Sequence, residues 1–177
     1  MSPHAALGFF ALLVPLLQGC TLSPKLVGTR PVALSEARAE VGACALNANR
    51  LSDGSRQVLA LFDLRARYDD DPDDALRALH AEACREPARP LIFTLAEGHY
   101  LLARRTGERD AYLAAAVYAY LYLLGTETPE PPNPYDRRLH WARELYNDGL
   151  LRALLERDGD LVPTAGRREL PTGALEL

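Results

Sequence analysis

The chain has 177 residues, with 20 Lys and Arg against 24 Asp and Glu for a net charge of −4, and is 48% hydrophobic and 25% charged. This composition excludes wholesale disorder and a polytopic membrane protein, and the acidic balance argues against nucleic-acid binding. Three cysteines are too few for a disulfide scaffold or a four-cysteine zinc site.

Residues Leu7 to Leu17 read LGFFALLVPLL. This apolar run is too short to span a membrane and has the length of a signal-peptide core. It leads into Leu17-Gln18-Gly19-Cys20, and a Leu, a small residue and then Cys after an apolar core resembles a bacterial lipobox. The resemblance implies cleavage between Gly19 and Cys20 and diacylation of the Cys20 thiol. It also implies a domain on the periplasmic face of the bacterial envelope, anchored to the membrane by lipid. Thr21, rather than Asp, after the cysteine implies the outer membrane. An ordinary signal peptide cut elsewhere, or an uncleaved anchor, is the alternative. Residues 20–33, with Pro24, Gly28 and Pro31, read as the lipidated cysteine and a tether.

A helical domain is expected over residues 34–160. Leu34, Ala37, Val41, Cys44, Ala48 and Leu51 recur in steps of three and four, which predicts a first helix from Ser35 to about Arg50. A second helix follows from about Ser55 to Tyr68, ended by Asp69 to Pro72. The third starts near Asp73 and carries Leu76 and Leu79. A fourth places Leu91, Ile92, Leu95, His99 and Leu102 on one face, and Thr106-Gly107 closes it. Arg109 to Leu124 forms a fifth helix that is apolar all round, as expected of a central buried helix. Four prolines in Thr126 to Pro134 interrupt the pattern. The sixth helix runs from about Tyr135 to Arg157, with Ala142, Tyr146, Gly149 and Ala153 on its inner face. Residues 161–177 form an extended tail whose end alternates apolar and polar like a strand, with nothing after it to pair with. The fold class is therefore all-α, about six helices in antiparallel hairpins. A generic bundle is favoured over a tetratricopeptide-like array, because no second copy recurs at a fixed period.

Cys44 and Cys84 remain once Cys20 is lipidated. In an oxidising compartment a bridge between them would close a long loop and contribute roughly 3–4 kcal/mol. Two separate buried thiols are the alternative. His99 shares a face with Leu95 and Leu102 and reads as a hydrogen-bonded core histidine; His80-Ala81-Glu82 is not a zinc-binding HExxH. The acidic run Asp69 to Asp74 lacks the glycine and terminal glutamate of a calcium loop, so no metal is expected. No nucleotide-binding glycine loop and no GxSxG elbow occurs, so neither a cofactor nor a catalytic residue is expected. In the sixth helix, Arg138, Trp141, Tyr146 and Asn147 stand out as a polar latch or a partner-binding groove; a helical Asn calls for a specific hydrogen-bond partner.

Three stretches carry a wider resemblance: Leu95-Ala96-Glu97-Gly98-His99-Tyr100-Leu101, Tyr112 to Leu124, and Pro134 to Arg138 continuing through Leu145-Tyr146-Asn147. They resemble the helical N-terminal region of large exported bacterial proteins, often lipid-anchored, that carry an α/β-hydrolase domain. The similarity runs from about Ser35 to Leu177. In that family a segment like Glu169 to Leu177 leads into the rest of the protein. The nucleophile elbow and its acid and histidine partners are absent from this chain. The resemblance therefore implies a non-catalytic, envelope-anchored module that binds a partner protein, such as a separately encoded hydrolase domain. The alternatives are a truncated piece of a serine-esterase-like lipoprotein and a helical envelope scaffold.

Overall fold

The computed structural model describes residues 31–126, 128, 131–155 and 166–176, except for the side chains of 38–41. The expected signal segment, Gly19, Cys20 and most of the tether lie outside the described residues. The chain divides into two units, residues 1–37 and 38–177. In the first, the described residues open α1 (Leu34–Val41), where the Ala37 amide donates to the Ala33 carbonyl at 2.9 Å. The second unit holds the helical core and a small hairpin.

The structure is mostly helical, as expected, but two of the sequence boundaries are displaced for identifiable reasons. α1 stops at Val41 instead of running to Arg50. Beyond it the Cys44 amide donates to Asn47 Oδ1 at 2.9 Å, and Asn47 Nδ2 donates to the Gly42 carbonyl at 3.0 Å. A short polar side chain has captured backbone groups that a helix would use. The expected second helix is two: α2 (Asp53–Leu61) and α3 (Arg65–Asp70). Asp63 between them sits in the left-handed region at φ 56°. The Asp63 amide donates to the Ala60 carbonyl and the Leu64 amide to the Leu59 carbonyl, at 3.1 and 2.7 Å. These are the paired bonds of a Schellman stop, with Asp in place of the usual glycine. Buried Leu59 and Leu64 provide the apolar contact that accompanies such a stop.

α4 (Pro72–Arg85) begins where proline is best tolerated: Asp71 caps it, accepting from the Asp74 amide at 3.1 Å, and Pro72 opens the first turn. α5 (Arg89–Thr106) accommodates Pro90 in its first turn and ends at Gly107, whose φ of 77° suits a residue without Cβ. α6 (Arg109–Leu124) has the expected limits. α7 (Arg137–Leu154) is capped by Asp136, whose carboxylate accepts from the Arg138 amide at 2.9 Å. α6 packs against both α5 and α7, and α4 packs on α5. Two close approaches set this packing. A Cβ on Gly149 of α7 would stand 3.0 Å from the Tyr112 carbonyl oxygen of α6, and one on Gly98 of α5 would stand 2.5 Å from Leu76 Cδ2 of α4. Phe93, Leu95, Leu113, Tyr122 and Leu145 fill the centre.

The tail finds its partner within the chain. β1 (Arg167–Leu170) pairs antiparallel with β2 (Gly173–Glu176), with Arg168 opposite Leu175 and Leu170 opposite Gly173. The expectation of a lone terminal strand is thus corrected: it is the second half of a hairpin turning at Pro171-Thr172. β1 lies against α6, and half-buried Leu170 and Leu175 pack on the core. Arg168 reaches Asp110 of α6 at 2.8 Å.

Candidate functional site

A chain of polar side chains joins α4, α5, α6 and the hairpin turn. Cys84 Sγ lies 3.4 Å from His80 Nε2, one turn away on α4. His80 Nδ1 is 2.7 Å from the Tyr118 hydroxyl of α6. That hydroxyl is 2.6 Å from Thr172 Oγ1 in the hairpin turn, and Thr172 Oγ1 is 3.5 Å from His99 Nε2 of α5. His99 also stacks on the Tyr118 ring, with centroids 5.4 Å apart and planes 5° from parallel. Helical spacing explains the α4 pair, since residues four apart share a face.

Hydrogen-bond direction follows from the one end left open. His99 is fully buried and its Nδ1 has no hydrogen-bond partner among the described residues. A buried donor without an acceptor is rarer than an acceptor without a donor. The bare Nδ1 is therefore the lone-pair nitrogen, and His99 Nε2–H donates to Thr172. Thr172 then donates to Tyr118, Tyr118 to His80 Nδ1, and His80 Nε2–H points at the Cys84 sulfur. Burial pushes the His99 imidazole down to about 3, helped by neighbouring His80, and lowers that of His80 as well. Burial also pushes the Tyr118 phenol up to about 12. The two imidazoles and the phenol are therefore uncharged at neutral pH. A thiol next to an imidazole has the outline of a nucleophile and its base, but here the nitrogen facing sulfur already holds its proton. That is the wrong tautomer for accepting one. The arrangement is a latch that holds the hairpin on the helices.

Above the latch lies an apolar cleft of about 290 Å3, bordered by Cys84, Pro87, Ile92, Tyr118, Leu121 and Thr128. The Thr128 hydroxyl is buried without a hydrogen-bond partner among the described residues.

A second buried polar centre ties the loop before α2 to the core. Glu97 of α5, fully buried, accepts four hydrogen bonds. Oε1 takes the amides of Ala45 and Ser52 at 2.9 and 3.0 Å; Oε2 takes the hydroxyls of Ser52 and Ser55 at 2.7 and 2.6 Å. Burial raises the Glu97 carboxyl, and the four donors oppose it. With all four lone-pair sites filled, the carboxylate is a structural clamp rather than a reactive group.

The residues singled out from sequence do not gather into one site. Arg138 bonds Asp136 beside its own helix cap, Nε to Oδ2 at 2.8 Å. Trp141 stacks on Phe93 with centroids 6.4 Å apart, and the Arg137 guanidinium lies over its ring. Tyr146 faces Tyr120. Asn147 is exposed and makes no hydrogen bond with a described residue. Cys44 and Cys84 are both free: Cys44 is buried in the turn after α1, Cys84 is exposed on α4, and the bridge left open by the sequence is absent. Burial raises the Cys44 thiol.

His99 is the buried histidine expected, whereas Tyr118, Thr172 and Glu97 carried no assigned role. Glu97 does leave a trace in the sequence, as the one acidic residue in the run from Leu91 to Ala103. The partners of Tyr118 lie 38 and 54 residues away, beyond the reach of any local pattern. Among the described residues, no group of three or more His, Cys, Asp or Glu is placed to hold a metal, and no helix is long and apolar enough to cross a membrane. Comparison with family models, curated proteins and solved structures found no match.

Proposed function

We propose that this chain is a non-catalytic helical module, tethered to the bacterial envelope by lipid on Cys20, that binds a partner protein along the open edge of its C-terminal hairpin. The anchored hairpin supports this reading. A two-stranded ribbon alone is marginal in water. This one is held through Tyr118–Thr172 and Arg168–Asp110, with β1 against α6, so β2 offers its outer backbone edge at little ordering cost. Addition of such a strand to a partner's sheet uses main-chain hydrogen bonds for affinity. An α/β-hydrolase domain encoded separately in the same genome is the partner class favoured by the family resemblance. The neutral latch and the absence of a nucleophile elbow support the non-catalytic part.

The test has two arms. Metabolic labelling with palmitate should mark the wild-type chain, and Cys20→Ser should remove both the label and the protein from the membrane fraction. A Cys20→Ser chain that stays membrane-bound would refute the tether. Purified protein mixed with the hydrolase domain should show slowed amide exchange at residues 173–176, with no ester hydrolysis by the module alone. Protection elsewhere, or hydrolysis by this chain unaided, would refute the binding mode.

A further inference from the structure

A different face of the helical core carries a concentration of positive charge that the acidic chain as a whole does not predict. The turn before α2, the two short helices α2 and α3, and the last turn of α5 enclose a cleft of about 300 Å3. Arg50, Arg56, Arg65 and Arg105 line it, and Asp69 is the one carboxylate among the lining residues. Arg56 is also engaged by Asp53 at the cleft's neighbour. Arg65 and Arg105 make no ion pair with any described residue. The guanidiniums come from four separate elements of the fold, so the cluster is a product of tertiary structure. Arg65 and Arg105 differ from Arg77, Arg85 and Arg152, each of which pairs with a carboxylate on its own helix.

The second observation is independent of charge. Tyr68 of α3 lines the same cleft, is only 8% exposed, and its hydroxyl has no hydrogen-bond partner among the described residues. Nor does the buried Arg56 Nε. Buried polar groups are nearly always satisfied, so an orphaned hydroxyl and an orphaned guanidinium N–H at one cleft call for an acceptor that the protein does not supply. Burial pushes the Tyr68 phenol up to about 12, so it stays protonated and donates. The guanidiniums provide donors only, and the protonated phenol adds one more O–H donor. Planar guanidinium forks match tetrahedral oxyanions with two parallel bonds. We infer that the cleft between Arg50, Arg56, Arg65, Arg105 and Tyr68 binds a phosphate-type anion, either free or presented as a lipid headgroup.

The test uses the full-length protein purified in nonionic detergent. Inorganic phosphate and pyrophosphate are titrated by calorimetry, and phosphatidic acid is titrated in mixed micelles against phosphatidylcholine micelles. Saturable binding of inorganic phosphate or pyrophosphate supports a soluble ligand; selective binding of phosphatidic acid micelles alone supports a headgroup. In either case Arg65→Ala and Arg105→Ala should each weaken binding at least about tenfold, and Tyr68→Phe about three- to tenfold, with the helical circular dichroism unchanged. Arg143→Ala, an exposed arginine elsewhere on α7, should leave binding unchanged. Absence of saturable binding to all three probes overturns the inference, as does binding that Arg143→Ala weakens as much as Arg105→Ala does. Tyr68→Phe removes one oxygen and leaves the ring packing intact, so it remains informative if an arginine variant fails to fold.

Discussion

Acid should destabilise this protein through His99 in a way that a single substitution can isolate. The imidazole is fully buried, and burial with His80 nearby holds its pKa at about 3. An unfolded chain returns it to about 6.5. Between those values the unfolded state binds the extra proton, so stability falls as pH falls through the window. From pH 7 to pH 5 the loss from His99 is about 2 kcal/mol, out of a limit near 5 kcal/mol at very low pH. His80 is lowered by burial and acts in the same direction; Glu97 is raised and acts in the opposite one. A comparison of variants cancels both. His99→Phe keeps the stacking on Tyr118 and removes the titration. Urea denaturation at pH 7, 6 and 5 should show wild type losing about 2 kcal/mol more than His99→Phe over that range. Parallel losses in the two proteins would mean that His99 is not held neutral by burial, and the direction assigned to the whole latch would fall with it.

Glu97→Ala leaves two backbone amides and two hydroxyls buried without an acceptor, and should cost about 4 kcal/mol in urea denaturation; a loss under about 1 kcal/mol would show that the clamp is dispensable. Tyr118→Phe should cost about 1–2 kcal/mol and speed amide exchange at residues 167–176 while α5 and α6 stay protected. Uniform acceleration would place Tyr118 in the global core instead. Gly149→Val pushes a branched side chain onto the Tyr112 carbonyl and should destabilise by about 2–3 kcal/mol, read as a lowered thermal midpoint. Thiol titration of the native protein should find Cys84 reacting fast and Cys44 only on unfolding; an oxidised form migrating as an internally bridged species would contradict the separation of the two.

The long helices were legible because their signals are local. α6 begins and ends at the positions that its unbroken apolar content and Gly125 mark, and α7 presents Ala142, Gly149 and Ala153 inward at the spacing read from the chain. The errors occur where a distant group decides. The first helix loses more than half of its expected length, and within the lost stretch the Ala45 amide is taken by Glu97, 52 residues away. The break at Asp63 is a left-handed turn without glycine, made worthwhile by burying Leu59 and Leu64 together. The hairpin escaped notice because its first strand, Arg-Arg-Glu-Leu, has no apolar alternation and is held by the Asp110 and Tyr118 side chains of α6. Neither polar centre was visible for the same reason: each is assembled from single residues on three or four elements. Trp141 and Asn147 drew attention by residue type, yet type alone does not reveal which face of α7 is covered.

Six successive residues of α6, Ala111 to Ala116, are all buried, since α5, α7 and the hairpin together leave this part of the helix no open side. Ordinary surface helices absorb sequence drift on the side that faces solvent. Here that reservoir is missing over almost two turns, and four of the six positions are alanines at most 1% exposed, packed in an interior where each added carbon is felt. The residues with the plainest side chains in the protein are therefore the ones least free to change. As sequences diverge, tolerated substitutions should concentrate in the exposed flanks of α4 and α7, while this alanine segment persists without touching any ligand at all.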